Sequence, residues 1–149
     1  MDATEQEIRE AVHRLYGKVN QALNGDAGPV LEEWSHADDA TVMHPGGGRQ
    51  QGWDEVRAAW EQWAGAVTDG GITPGELSVR MLAPDVALVS GRETGSGVLM
   101  GERCQVDARM TLVMRREDGR WRPVHHHADV VPAVRDAAMR AMALAGAAA

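Results

Sequence analysis

The sequence predicts an α+β fold: a curved, cone-shaped antiparallel sheet, three helices ahead of it that help enclose a pocket, and one more helix at the C-terminus. Two observations carry this. Through Val67 the apolar residues recur mostly at helical spacing, and from Ile72 onward they alternate with polar residues in four long stretches separated by turn residues. Consecutive strands joined by tight turns form an antiparallel meander that must bury one face. Helices laid across a strongly bent sheet leave a concavity of the kind that holds small ligands. At 149 residues and 44% hydrophobic content, the chain fits one domain over 1–149, with 132–149 as a C-terminal helix or tail.

The first helix starts from a capping box, Thr4 with Glu7, and continues through Ile8, Ala11, Val12, Leu15, Val19 and Leu23 until Asn24-Gly25-Asp26 ends it. A short second helix begins at Pro29, suited to a first turn, and stops near Ser35. Ala40 to His44 reads as a strand that Pro45 and three glycines terminate; no Lys-Ser/Thr pair follows, so the glycines form a turn rather than a phosphate cradle. A third helix starts near Trp53 with Asp54 and Glu55 in its first turn. Its apolar stripe is Trp53, Val56, Ala59, Trp60, Trp63 and Val67, and Gly70-Gly71 closes it. Strands follow at Glu76 to Leu82, Val86 to Gly97, Leu99 to Arg116 and Arg120 to Val131, the last two joined by the hairpin signal Glu117-Asp118-Gly119. Pro132 opens an Ala/Met-rich helix that fades into Ala147-Ala148-Ala149.

Composition narrows function. A net charge of −7 and the lack of a Lys/Arg cluster exclude a nucleic-acid groove. With no run of about 18 apolar residues and no basic start before an apolar segment, neither a membrane span nor a leader is expected, and the expected location is the cytoplasm. Cys104 is the lone cysteine and reads as a small strand residue. His13, His36, Asp38 and Asp39 read as surface or turn residues.

Ala37-Asp38-Asp39-Ala40-Thr41-Val42-Met43-His44-Pro45 resembles the ketosteroid isomerase segment Ala-Asp-Asp-Ala-Thr-Val-Glu-Asp-Pro, differing at two positions. Thr111 to His127 is similar to the closing hairpin of SnoaL-like proteins and of the calcium/calmodulin-dependent kinase II association domain. These belong to the nuclear transport factor 2-like superfamily, whose element order fits about residues 4 to 131. The resemblance implies that His44 stands where the isomerase keeps its general base. Imidazole, with an ordinary pKa of about 6.5, can accept a proton at neutral pH. The isomerase's tyrosine donor aligns near Val19 or Asn20, with Tyr16 one turn earlier, and its acidic donor aligns near Thr111, where no acid stands. The kinase domain places a pocket arginine on Arg92, which either clamps an anion inside the pocket or points outward to an acid across the sheet; that domain's other pocket arginines fall on Leu112 and Ala128.

In the run His125-His126-His127, strand alternation separates His126 from its neighbours. The parity that turns Arg92 inward brings His126 into the pocket and leaves His125 and His127 outside. With His44, a His-x-His pair could offer three nitrogens to a metal, but no metal or other cofactor is expected. The favoured reading is a SnoaL-like enzyme using metal-free general acid/base catalysis on a small, largely apolar carbonyl or polyketide-like molecule. His44 moves the proton, Arg92 or His126 stabilises negative charge, Tyr16 or Asn20 donates to the substrate, and Trp34, Trp60, Trp63, Met110, Leu112 and Met114 shape the cavity. The alternative is a non-catalytic ligand-binding or assembly module. A homodimer is expected, because apolar and amphipathic residues on both strand faces, including Val113 beside Thr111, favour association through the sheet.

Overall fold

A computed structural model describes residues 1–148. The chain forms α1 (Ala3–Ala22), α2 (Gly28–Glu33), β1 (Thr41–Met43), β2 (Gln50–Gln51), α3 (Trp53–Ala66), β3 (Val67–Ala83), β4 (Val86–Leu99), β5 (Glu102–Glu117), β6 (Arg120–Ala128) and α4 (Pro132–Ala148). One six-stranded sheet runs in the order β2-β1-β6-β5-β4-β3. Its four long strands form the expected antiparallel meander, while β1 joins β6 in parallel through Thr41 to Met43 beside His125 to His127. The sheet is curved and unclosed, with the N-terminal helices against its concave face. Among the described residues no helix is long and apolar enough to cross a membrane.

Several boundaries differ from those the sequence predicts. The N-cap of α1 is Asp2, whose carboxylate accepts from the Glu5 backbone N–H at 2.8 Å, so Thr4 lies inside the first turn rather than before it. Gly70-Gly71 does not close α3: the helix gives way directly to β3 at Val67, and the two glycines lie within that strand at a register shift. The reason is close approach. A Cβ on Gly70 would sit 2.5 Å from the Leu23 Cβ, so the glycine lets the end of α1 press onto β3. A Cβ on Gly95 of β4 would meet the Gly71 carbonyl oxygen at 1.8 Å, and three register shifts along the β3–β4 pair bend the sheet at these points. β6 ends at Ala128, short of Val131, and Ala149 lies outside the described residues.

Polar contacts fix α1 along the sheet. Asn20 donates to the Ile72 carbonyl at 3.1 Å and accepts from the Ile72 N–H at 2.8 Å, and Arg9 donates to the Leu77 carbonyl. Fully buried Glu33 at the end of α2 receives Arg14 and Lys18 of α1 and Arg120 of β6, at 2.9, 2.6 and 2.5 Å. Burial pushes its carboxyl up, but the hydrogen bonds and charges of Lys18 and Arg14 outweigh it and hold the group below the ordinary range. The main core packs Ile8, Val12, Trp34, Val42, Val56, Val89, Leu112 and Met114; a second cluster, with Val67, Leu99, Cys104, Val134 and Ala137, lies under α4. The cavity described next takes its wall from both.

Candidate active site

Strand alternation would put all even-numbered inner residues of a regular β6 opposite one face of β5. It does not here, because β6 carries a bulge. Met114 pairs with Pro123 but Val113 pairs with His125, which leaves Val124 without a partner. Proline has no N–H for the ladder, which suits it to a bulge. From there on His126 is opposite Leu112, which is opposite Val89. Residues paired in this way share a face, so the inward positions of β4 are 89, 91 and 93, and Arg92 points out.

Arg92 therefore does not enter the cavity. It lies on the outer face opposite Arg109 and forms an ion pair with Asp107 at 2.5 Å. The one-residue slip that the bulge introduces is the physical reason for this correction. Glu93 takes the inward place. Nothing in the strand pattern marks Glu93 over Arg92 except the unpaired Val124 two strands later, and a Pro inside a predicted strand is the one local hint of that bulge.

Four polar side chains from four elements meet an apolar wall. Tyr16 of α1, His44 just after β1, Glu93 of β4 and His126 of β6 are all buried and all line one cavity of about 100 Å³. Tyr16 donates its hydroxyl hydrogen to Glu93 Oε2 at 2.6 Å, and His126 Nε2–H donates to the same oxygen at 3.2 Å. Burial pushes the Glu93 carboxyl up, but the charge and hydrogen bond of His126 and the hydrogen bond of Tyr16 outweigh it and hold the group below the ordinary carboxylate range. Burial first, then the Glu93 charge and hydrogen bond, push the Tyr16 hydroxyl far above its ordinary value, so it stays protonated. His44 sits edge-on to Trp60 at 4.8 Å and to Trp63 at 5.7 Å between ring centroids. Burial, and secondarily the charge of His126, push its pKa down to about 3, so it is a neutral imidazole at physiological pH. Its Nε2 has no hydrogen-bond partner.

Trp34, Trp60, Trp63 and Leu112 line the cavity, together with Cys104 and Val106 of β5 and Val134 of α4. Met110 and Met114 are buried in the core behind it and do not line it. Asn20 faces β3, with both ends of its amide taken by Ile72, which leaves Tyr16 as the inward donor of α1. His125 and His127 stand outside, His125 bonded to Thr41 Oγ1 at 2.6 Å, so the His-x-His pair does not converge with His44. Among the described residues no group of three or more His, Cys, Asp or Glu is arranged to hold a metal. Exposed His36 stacks on Trp53, and Asp39 pairs with Arg115.

A family model described as SnoaL-like domain matches residues 8–133. The fold recurs in solved structures of low sequence identity. One is described as a candidate aromatic ring hydroxylase from Novosphingobium aromaticivorans, 18% identical with a TM-score of 0.74, covering 88% of this chain and 92% of that one. Another is a nuclear transport factor 2-like superfamily protein from Salmonella enterica serovar Typhimurium, 17% identical with a TM-score of 0.73, covering 84% and 89%. A third is a ketosteroid isomerase-like protein from Erwinia carotovora atroseptica, 19% identical with a TM-score of 0.71, covering 87% and 97%. No curated protein matches the chain significantly. The match over residues 8–133 places this chain in the SnoaL-like family, and it shares its fold with nuclear transport factor 2-like and ketosteroid isomerase-like structures.

Proposed function

We propose that the protein is a general acid/base enzyme acting without a metal on a small, largely apolar carbonyl compound. The observation that carries this reading is the convergence of His44, Tyr16, Glu93 and His126 on one otherwise apolar cavity. In it His44 takes a proton from the carbon beside the carbonyl, since a neutral imidazole with a free nitrogen can accept one. Burial first, then the charge of His126, oppose a protonated His44, so the proton it takes is passed back to the enolised substrate rather than kept. Tyr16 and His126 hold Glu93 in place, so its carboxylate stands as a fixed acceptor on the cavity wall. A cavity of about 100 Å³ favours a compact molecule, such as a single ring or a fragment of a polyketide chain, over a fused ring system.

The test is turnover of a panel of enolisable ketones, read as proton exchange into deuterated solvent. His44→Ala should lower the rate by a factor of about 10² to 10⁴ while ligand binding stays measurable. An unimpaired His44→Ala variant would remove the proposal. A second reading, a binding module of the same fold, is favoured by the weak basicity that burial gives His44. It predicts saturable binding with no exchange at any pH. In both readings the chain acts as one cytoplasmic domain and pairs as a homodimer through the outer sheet, where half-buried Leu88 and Val113 lie opposite each other.

A further inference from the structure

Three buried nitrogens on residues that line the cavity have no hydrogen-bond partner: Trp34 Nε1, Trp60 Nε1 and His44 Nε2. The three residues are 1%, 4% and 6% exposed, and their rings are neighbours, with Trp34 and Trp60 centroids 6.5 Å apart and His44 at 4.8 Å from Trp60. An indole N–H can only donate. A buried donor without a partner is costly, so this wall is complementary to an acceptor oxygen. The indole nitrogens are sealed from solvent, so a ligand without an acceptor leaves both donors unsatisfied.

The α1, β4 and β6 side of the cavity makes the opposite demand. Both hydrogen bonds to Glu93 fall on Oε2, and Oε1 has none. A carboxylate can only accept, so Oε1 calls for a donor on the ligand. No Lys or Arg is among the described residues that line the cavity, and the Nε2 of His126 is committed to Glu93. An anionic ligand would meet a fixed negative charge in a desolvated space with no free cation to offset it.

We propose that the cavity selects a neutral, ring-sized hydroxy ketone, with its carbonyl oxygen toward the Trp34 and Trp60 indole nitrogens, His44 Nε2 left free as acceptor, and its hydroxyl donating to Glu93 Oε1, and that it rejects carboxylates. This rests on the reading of the cavity as the functional site, and it concerns what binds rather than what is turned over.

Isothermal titration of the full chain at a pH of about 6.5, where a phenol is un-ionised, compares three probes of one ring each. They are 4-hydroxyacetophenone, 4-hydroxybenzoate of the same shape but charged, and p-cresol, which lacks the acceptor. The ketone should bind at least about tenfold more tightly than the benzoate. Trp34→Phe and Trp60→Phe should weaken the ketone several-fold and leave p-cresol nearly unchanged. Glu93→Gln should narrow the ketone-to-benzoate ratio; this arm stands even if near-UV circular dichroism shows that a Trp variant has lost its fold. Equal or tighter binding of the benzoate, no binding of the ketone, an unchanged ratio in Glu93→Gln, or equal losses for ketone and p-cresol in folded Trp variants would each overturn the proposal. Selective ketone binding without proton exchange would instead overturn the catalytic reading and leave the ligand class standing.

Discussion

The Tyr16 hydroxyl and the Glu93 carboxylate, 77 residues apart in sequence, meet at 2.6 Å inside the cone. That bond joins the first helix to β4 and, with His126, leaves Oε1 of Glu93 without a partner. It is also open to direct measurement, because Tyr16 is the protein's sole tyrosine.

Ultraviolet titration near the tyrosinate band therefore reports on Tyr16 alone. Its hydroxyl is pushed above its ordinary value by burial first and by Glu93 second, so it should not ionise until the fold opens. A group raised in the folded state contributes stability below its unfolded pKa and loses it as pH rises. The chain should thus lose stability above a pH of about 10. In Glu93→Gln ionisation should come at lower pH but still above the free value, since burial remains. A tyrosinate signal with ordinary titration in the folded wild type would contradict the buried bond.

His44 carries the opposite linkage. Its pKa falls to about 3 on folding. The unfolded chain therefore binds the proton more readily, and stability is lost as pH drops through the interval between the unfolded value and the folded one. Within that interval, starting at about 6.5, His44 should cost about 1.4 kcal/mol per pH unit. Urea unfolding at several pH values should show a shallower acid dependence for His44→Leu than for wild type. Parallel dependences would show that His44 is not buried in this way.

Glu33 is enclosed by Arg14, Lys18 and Arg120 and is fully buried. Glu33→Ala leaves three cations without their shared partner and should cost about 3 kcal/mol in urea unfolding, at the low end for a broken buried pair because the cations reach solvent. Since its carboxyl is held low, its contribution should fade as pH falls through the folded carboxylate range. A cost indistinguishable from that of an exposed pair would refute this arrangement.

The two faces of the sheet give a further pair of outcomes. Arg92→Ala removes an exposed ion pair with Asp107 and should leave ligand affinity unchanged. His126→Asn loses its hydrogen bond to Glu93 and should weaken binding of the ketone, while His127→Asn should not. Titration calorimetry on the three variants separates the faces, and the reverse ranking would mean that the register of β6 is different.

The helices, the hairpins and the tryptophans of the cavity wall were legible because their signals are local, whereas Met110 and Met114, expected in the wall, lie behind it. Trp60 and Trp63 fall on the α3 stripe, and Asp118-Gly119 marks a turn whatever surrounds it. His44 was legible for a different reason: it ends a short strand just before Pro45, in a segment that resembles a known enzyme. Glu93 was not legible. Charged residues at 92 and 93 are adjacent on one strand, and strand alternation says that they face opposite ways without saying which faces in.

What the sequence determined by itself is the order of elements, their periodicity and the apolar wall, because each depends on residues within a turn or two of one another. Only the tertiary structure decided the polar constellation. Side-chain facing in a strand is fixed by its register against a neighbour, and one unpaired residue, Val124, reverses it for everything beyond. That single slip keeps His126 inward, turns Arg92 out to Asp107, and brings Glu93 to Tyr16.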